Sequence, residues 1–484
     1  MPRAEKMAAV DTTWLRMDQP TNRMVIVGVL LLGGPVDLDR VERQVGERLL
    51  RYPRFRQYVE QSSGGPWWCE DPHFDLARHI KRTRLPSPGG KAQLEAFVAD
   101  LVSIPLDSAH PLWQFHLVED YEGGAALVTR IHHAIADGIA LIGVLLTLTD
   151  DGPSPVQTPH RNDAGLRAVV EPLLDAIEQG ARITGSLLNA ASSPTRLLGL
   201  AREGSGIATE LAWLLAMPTD SQTRFKGALS GDKRVAWSEA LSLKDVKAIG
   251  HALHCSVNDV LLASVAGALR AYLLSKGDDA DGVEVRALIP VNMRPADALS
   301  GALGNHFGVL GLSLPVGEAD GLARVREVRR RMDELKTSKE AATTLGLMAG
   351  LGYAPRVVQD QLFDLLLSRA SAVMTNVPGP QWEMRIADAP IRQAIFWVPQ
   401  AGPVGMGVSI LTYNGQVQFG LITDAALVPD PQHIVDRFGA EFEKLLLHVL
   451  MSPWDGQPAT SSDFANSTSS RSIASSGTDA AASA

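Results

Sequence analysis

The sequence predicts an α/β (α+β) chain that folds into two domains. Its 484 residues exceed what a single hydrophobic core usually organises, so two domains of similar size are expected. Apolar segments with the period of a helix alternate with shorter apolar segments that have the length of a strand. No repeat with a period of roughly 20–50 residues is evident, which argues against a solenoid.

The N-terminal part begins with a buried strand and two amphipathic helices. The continuous apolar run Val25–Leu32 predicts the strand. Apolar residues then recur at helical spacing between Asp37, a suitable N-cap, and Pro53, which cannot continue a helix. A second set with the same spacing, from Leu94 to Leu101, predicts the next helix.

A hairpin follows, and its second arm leads directly into two adjacent histidines. Residues alternate along both arms, on either side of a glycine-rich turn: Trp113, Phe115 and Leu117, then Leu127, Thr129 and Ile131. The second arm continues into His132-His133, and the pair Asp137-Gly138 precedes an apolar helix at 139–148. The histidines are therefore predicted to lie at the end of a strand, on a short turn before a helix.

Composition divides the chain into four parts. We predict an N-terminal domain at residues 1–160, a helical connection at 161–234, a C-terminal domain at 235–454 and a disordered tail at 455–484. The tail is rich in Ser, Ala and Thr and has too few apolar residues to form a core. Within the C-terminal domain, periodicity predicts helices at 256–274, at 322–335 and from Asp430 onward, and strands at 283–290, 309–314, 394–398, 407–412 and 417–422.

Charge and cysteine usage exclude several classes of protein. The net charge of −9 argues against nucleic acid as a partner. Cys69 and Cys255 lie far apart without metal-binding spacing, so no metal site is predicted, and reduced cysteines suit the cytoplasm. No segment offers the ~18 uninterrupted apolar residues of a membrane span, and the N-terminus lacks a secretory signal. We expect a cytoplasmic protein that is at most peripheral on the inner membrane face or on lipid bodies.

A histidine at the end of a strand is well suited to general-base catalysis, because it is held rigidly and titrates near neutral pH. His133 shares strand parity with Ile131, whereas His132 points to the opposite face if the strand persists that far. Polar loop residues are the alternative interpretation of a His-His pair taken in isolation. A metal site is a weaker alternative, because no clear third or fourth ligand accompanies the pair.

The run His132-His133-x-x-x-Asp137-Gly138 resembles the active-site motif of the CoA-dependent acyltransferase superfamily, which includes chloramphenicol acetyltransferase and the condensation domains of peptide synthetases. Further runs make the chain similar to the bacterial wax ester synthase/diacylglycerol acyltransferase family, over roughly residues 10–452. These runs are Pro53-Arg54-Phe55-Arg56, the stretch from Trp68 to His79, Pro111-Leu112-Trp113, Asn258-Asp259-Val260, Pro290-Val291-Asn292-Met293-Arg294-Pro295, Gly304-Asn305 and Asn376-Val377-Pro378-Gly379-Pro380.

The resemblance implies two chloramphenicol-acetyltransferase-like domains, each a mixed sheet flanked by helices, with an active-site tunnel between them. It implies an O-acyltransferase that takes a long-chain acyl group from acyl-CoA, has no permanently bound cofactor, and uses a fatty alcohol or diacylglycerol as acceptor. His133 is the implied general base of a direct transfer without an acyl-enzyme, and His132 supports it. Asp137 is expected to hold the loop through an arginine, for which Arg294 is the candidate, and Gly138 permits the tight turn into the helix.

A tetrahedral oxyanion also requires a hydrogen-bond donor. Thr375 and Asn376 are candidates, and Asn258 and Asp259 are further candidates for the oxyanion site or the tunnel lining. The alternative for the proline-glycine run after Asn376 is an ordinary turn. The alternative for Asn258-Asp259 is a helix N-cap without a chemical role.

Three other segments have more than one interpretation. The arginine-rich run at 324–339 is suited to CoA phosphates or anionic lipid head groups, but the solvated face of a helix is the more frequent origin of such a run. The apolar segment from Leu345 to Leu367 suits a lipid-facing wall or a pair of buried interdomain helices. The segment 20–25 departs from the family pattern, in which small residues and a histidine often occur.

Two competing functions share parts of this pattern. A condensation-type enzyme would use a thioester on a carrier protein, but no carrier or adenylation module accompanies the motif. A lipid-body-associated protein without activity would keep the fold alone, but every required motif residue is intact. The sequence therefore favours the acyltransferase, with wax ester, triacylglycerol or both as its expected product.

Overall fold

Two mixed β-sheets organise the chain in the computed structural model. The structure describes residues 4–136, 138–150, 152, 219–292, 307–336, 364 and 367–451. Several sequence predictions lie outside the described residues: most of the helical connection at 161–234, most of the apolar segment from Leu345 to Leu367, and the tail at 455–484.

The first sheet has six strands and is antiparallel except for the pairing of its last two. From one edge to the other they are β13 (Arg385–Ile386), β14 (Ala389–Trp397), β2 (Val25–Leu32), β7 (Gly124–His132), β6 (Trp113–Tyr121) and β5 (Ile80–Thr83). A small separate sheet consists of β1 (Ala4–Lys6), β4 (Gly65–Glu70) and β3 (Gln57–Ser62).

The second sheet has seven strands, and its central strand pairs in parallel with both neighbours. In order they are β11 (Phe307–Leu314), β10 (Val285–Asn292), β12 (Ala372–Pro378), β15 (Met406–Tyr413), β16 (Gln416–Asp424) and β8 (Lys233–Trp237), with β9 (Leu241–Ser242) also paired to β16. Both large sheets are therefore mixed, as the family resemblance implies.

Helices flank both sheets. In the described ranges they are α1 (Ala9–Arg16), α2 (Leu38–Arg48), α3 (Leu76–His79), α4 (Lys91–Ser103), α5 (Gly138–Thr147), α6 (Leu243–Ala252), α7 (Val257–Ser275), α8 (Gly321–Lys336) and α9 (Gln432–Met451), with 3-10 turns at Leu49–Arg51 and Pro53–Arg56. Among the described residues only α7 has the length and mean hydropathy, 1.4, of a membrane span. It is the central helix of the hydrophobic cluster that packs on the second sheet, and 72% of its span is buried there.

Most elements predicted from periodicity are confirmed. The strand Val25–Leu32 has the predicted bounds. The side chain of Asp37 caps α2 by accepting a hydrogen bond from the Asp39 amide at 3.3 Å. The predicted inner face of α8, with Val325 and Val328, is buried in the second core. A regular apolar period therefore identified these elements because each buries one continuous face.

Several elements were not predicted, among them α1, the small sheet of β1, β3 and β4, and the strand character of β12. Helix α1 has eight residues and buries Asp11, Thr12 and Thr13, so it shows no clean apolar period. The strand continues past Asn376 through Pro378, so the ordinary turn expected for the proline-glycine run can begin only after Pro378.

Strand pairing crosses the predicted boundary between the two domains. Strands β13 and β14 fall within the predicted C-terminal domain, yet β14 pairs with β2 in the first sheet, with Trp397 opposite Val27. The same strand also lies against the second sheet. A Cβ atom added at Gly420, in β16, would lie 3.1 Å from the carbonyl oxygen of Phe396, in β14. Sequence periodicity marks a strand but not the sheet that it joins, because both sheets offer an apolar partner.

Three hydrophobic clusters form the interior. The first core lies on the side of the first sheet that faces away from the second sheet. The second core lies on the helical side of the second sheet. The third joins the two sheets and brings Val27 and Val29 against Trp237, Trp397 and Ile422. The rings of Trp237 and Trp397 meet edge to face at 5.8 Å. This apolar seam makes the two sheets one packed unit.

Candidate active site

The two histidines lie at the end of β7, as predicted. His132 is the last residue of the strand and pairs with Val25 of β2. Its amide donates a hydrogen bond to the Leu112 carbonyl at 2.9 Å, and the amide of His133 donates to the Met24 carbonyl at 2.7 Å. The backbone of the pair is therefore anchored by residues next to both neighbouring strands.

The side chain of His132 supports the turn and is held neutral. It is buried, and its Nδ1 accepts a hydrogen bond from the Ala134 amide at 3.1 Å, so the neutral ring carries its proton on Nε2. Burial, with a further contribution from His133, lowers the pKa of His132 to about 3. His132 therefore remains uncharged at neutral pH and is suited to a supporting role.

The side chain of His133 stacks on an indole. Its ring centroid lies 4.3 Å from that of Trp14, with 24° between the planes, and only 6% of the residue is exposed. Trp14 comes from α1, and its contact with His133 could not be predicted from periodicity. The only signal in the sequence is that Trp14 is the sole aromatic residue before Tyr52. Stacking fixes the plane of the imidazole within the first core.

Thr375 lies on the face of β12 that is turned toward the first domain. It pairs with Ser409 of β15 in parallel register. Alternate residues of a strand share a face, and Val377 packs in the first core whereas Met374 packs in the second. Thr375 therefore shares the surface of Val377, and Asn376 lies on the helical side.

The structure brings Asn376 and Asn258 together. The Asn376 side-chain amide donates a hydrogen bond to Oδ1 of Asn258, in the first turn of α7. Asp259 instead closes a capping box: its Oδ2 accepts from the Ser256 amide at 2.8 Å, and the Ser256 hydroxyl accepts from the Asp259 amide at 3.2 Å. Ser256 is therefore the N-cap of α7 and Asp259 its N3 partner, whereas Asn258 and Asn376 tie α7 to the central strand of the second sheet.

Two predicted residues, Asp137 and Arg294, lie outside the described residues, so the proposed pair between them stays a prediction. Gly138 is the first residue of α5, as expected for a tight turn into the helix. In the described part of the chain, no group of three or more His, Cys, Asp or Glu side chains could hold a metal ion.

Acidic partners neutralise most of the arginine-rich helix. The pairs are Arg324 with Glu441, Arg329 with Asp333, Arg330 with Glu327 and Glu334, Arg331 with Glu284 and Glu327, and Lys336 with Asp333. These cations already have acidic partners within the chain, which favours an ordinary helix face over a site for CoA phosphates or lipid head groups. Arg324 is buried, so the solvated part of this face begins after it.

Solved structures show the same arrangement of two domains. The wax ester synthase/diacylglycerol acyltransferase of Marinobacter aquaeolei VT8 aligns with a TM-score of 0.64 and 22% identity, over 92% of this chain and 100% of that one. The first condensation domain of the CDA synthetase aligns with a TM-score of 0.57 and 14% identity, over 93% and 96%. The fold is therefore that of the CoA-dependent acyltransferases, with two chloramphenicol-acetyltransferase-like domains.

Sequence comparisons identify one family within this class of fold. The wax ester synthase/diacylglycerol acyltransferase catalytic domain matches residues 7–261, and the C-terminal domain of the same family matches residues 303–446. The chain belongs to this family. Similar proteins include tgs1 of Mycobacterium tuberculosis strain H37Rv, named a probable diacylglycerol O-acyltransferase, at 28% identity over 84% of this chain and 88% of that protein. A second protein of the same strain is 26% identical over 91% and 90%.

Family membership identifies an enzyme. The chain is an O-acyltransferase that takes its acyl group from acyl-CoA and forms wax ester or triacylglycerol. The condensation-domain likeness shows the fold alone, so it does not support the carrier-protein alternative.

Proposed function

We propose that His133 is the general base of a direct acyl transfer from a long-chain acyl-CoA to a lipid hydroxyl, and that no acyl-enzyme forms. The observation that carries this proposal is the placement of His133: its amide is bonded to the Met24 carbonyl, and its ring is stacked on Trp14 at the end of β7. A base held in this way loses little freedom when the reaction begins.

The reaction balances without a further reactant. The acceptor oxygen attacks the thioester carbonyl carbon while the imidazole of His133 takes the hydroxyl proton. The tetrahedral oxyanion then collapses, the carbon–sulfur bond breaks, and the proton passes from the imidazolium to the departing thiolate, which leaves as CoA. Thr375, on the surface of β12 that faces the first domain, is the proposed hydroxyl donor to the oxyanion.

The substrates are proposed to meet in a tunnel between the two domains. Diacylglycerol is the proposed principal acceptor, since the mycobacterial relatives are named for it. No permanently bound cofactor is required by the chemistry. The enzyme is proposed to be cytoplasmic and peripheral on the inner membrane face or on lipid bodies, because its acceptor partitions into lipid.

A CoA-release assay with palmitoyl-CoA tests this function. Acceptors are diacylglycerol, hexadecanol and none, each measured with the wild type and with His133→Ala. Acceptor-dependent release that falls by about 100- to 10,000-fold in the variant supports the proposal. Full activity in His133→Ala, or a covalent acyl-enzyme trapped by rapid acid quench and mass spectrometry, would contradict it.

A further inference from the structure

A buried polar cluster joins the turn before β2 to the second sheet. The side-chain amide of Asn22 donates to the carbonyls of Gly402, at 2.7 Å, and Val404, at 3.0 Å. Its Oδ1 accepts a hydrogen bond from Nζ of Lys233 at 2.7 Å, and the same ammonium lies 3.3 Å from Oδ2 of Asp424. Asn22 thus makes three hydrogen bonds between the first domain and the second, two as the donor and one as the acceptor.

The cluster is fully enclosed and its charges are satisfied. Asn22, Lys233 and Asp424 have relative exposures of 1%, 3% and 0%. Burial lowers the pKa of Lys233, against the opposing effect of Asp424. Burial also acts to raise the pKa of Asp424, but hydrogen bonds from Ser230 and the charge of Lys233 lower it overall. The contacts of Lys233 with Asn22 and Asp424 hold both side chains in place, since the loss of either partner would leave a buried polar or charged group unpaired.

The turn that carries Asn22 also carries the backbone contact of His133. Gln19 and Asn22 exchange two backbone hydrogen bonds of 3.1 Å, which close the turn. Two residues later, the Met24 amide donates to Oδ1 of Asp18 at 2.8 Å. The Met24 carbonyl accepts the hydrogen bond from the His133 amide. One short segment therefore connects the second domain to the proposed base.

We propose that Asn22 is a positioning residue: by binding Lys233 and the 402–404 loop, it sets the position of His133 relative to the second domain. This inference rests on the proposed function of His133. The base comes from the first domain and the proposed oxyanion donor, Thr375, from the second. Their relative position is therefore a property of the domain contact, and a small displacement of one against the other slows the chemical step.

A purely structural role would make Asn22 equivalent to other hydrogen-bonded amides at this interface. The chain offers a half-buried amide, that of Gln393, at the opposite end of the same strands. Nε2 of Gln393, in β14, donates to Oε1 of Gln418, in β16, at 2.5 Å. Gln393 pairs with Leu31, six residues along β2 from Val25, the partner of His132, which places it roughly 20 Å from the histidines.

The experiment compares Asn22→Ala, Asn22→Asp and Gln393→Ala with the wild type. Asn22→Asp keeps the acceptor for Lys233 but loses both donors to the 402–404 loop. For each protein, kcat and the KM for palmitoyl-CoA are measured with saturating diacylglycerol, together with the unfolding temperature. We expect kcat of both Asn22 variants to fall by about 10- to 100-fold with KM within about two-fold, and Gln393→Ala to keep the kcat of the wild type.

Equal losses of kcat in Asn22→Ala and Gln393→Ala would overturn the proposal, because they would show a general effect of a weakened interface. An unchanged kcat in Asn22→Ala would also overturn it. If Asn22→Ala does not fold, Asn22→Asp carries the same two outcomes. His133→Ala is assayed in parallel: its activity decides the proposed function, whereas normal Asn22 variants beside an inactive His133→Ala would reject the positioning role alone.

Discussion

The indole of Trp14 lies face to face with the imidazole of His133, with 4.3 Å between the ring centroids. The two residues come from different elements, α1 and the turn after β7, and both are buried in the first core. An indole face attracts a cation more strongly than any other side-chain ring does. If His133 is the base, as proposed, Trp14 would therefore stabilise the imidazolium that forms when His133 accepts the proton of the acceptor hydroxyl.

Trp14→Leu is expected to lower kcat by about 2- to 30-fold, which corresponds to the loss of about 0.5–2 kcal/mol of cation–π stabilisation. Trp14→Phe keeps an aromatic face and is expected to lose less. Steady-state kinetics with palmitoyl-CoA and diacylglycerol measure both variants. The stacking role would be rejected if the leucine and phenylalanine variants had the same kcat at equal thermal stability.

Thr375→Val is expected to lower kcat by about 100-fold, because it removes the proposed hydroxyl donor to the oxyanion without changing the size of the side chain. Thr375→Ser retains the hydroxyl and is the matched control, with kcat expected near that of the wild type. The comparison is made under single-turnover conditions, which isolate the transfer step. Equal rates for the valine and serine variants would exclude the hydroxyl as a donor.

His132→Leu is expected to lower the free energy of unfolding by about 1–3 kcal/mol, because the buried Ala134 amide loses its acceptor. His132→Asn offers an oxygen in a similar position and is expected to lose less. Thermal unfolding of both variants beside the wild type measures this difference. An Asn variant no more stable than the Leu variant would show that Nδ1 of His132 is not an important acceptor.

The depressed pKa of His132 also predicts an acid sensitivity. Its pKa is about 3 in the folded chain and about 6.5 when the chain is unfolded. Between these values the unfolded chain binds a proton that the folded chain does not, so stability falls as the pH falls through this range. We expect the unfolding temperature of the wild type to drop more than that of His132→Asn between about pH 7 and pH 5. Parallel changes in the two proteins would contradict this assignment.

Glu95, on α4 beside the domain seam, predicts the opposite kind of pH dependence. Burial raises its pKa to about 7, although Lys91, 3.9 Å away, lowers it in part. The folded chain therefore holds a proton that the unfolded chain releases above about pH 4.5, so stability falls as the pH rises from about 4.5 to about 7 and stays lower at higher pH. Glu95→Gln is expected to stabilise the protein by on the order of 1 kcal/mol at about pH 8 and by nothing at about pH 4.5. A stability gain that did not change with pH would argue against this origin.

The local pattern of apolar residues was sufficient to predict many of the helices and strands, and the position of the two histidines. The strand Val25–Leu32 and the helices α2, α4, α8 and α9 bury a continuous apolar face, so their residues repeat with the period of the element. The two histidines were placed correctly because alternating residues lead into His132 without a break. These features depend on residues that are close in the sequence, so they can be predicted from the sequence alone.

Contacts between distant residues were decided by tertiary structure. The sequence alone determined the acyltransferase motif, the strand that presents it and its similarity to a family. Only the folded chain could place Trp14 on His133, β14 in the first sheet and Asn22 against Lys233, which is 211 residues away. The physical reason is that stacking, strand pairing and buried hydrogen bonds depend on which surfaces meet, whereas periodicity records only that a surface is apolar.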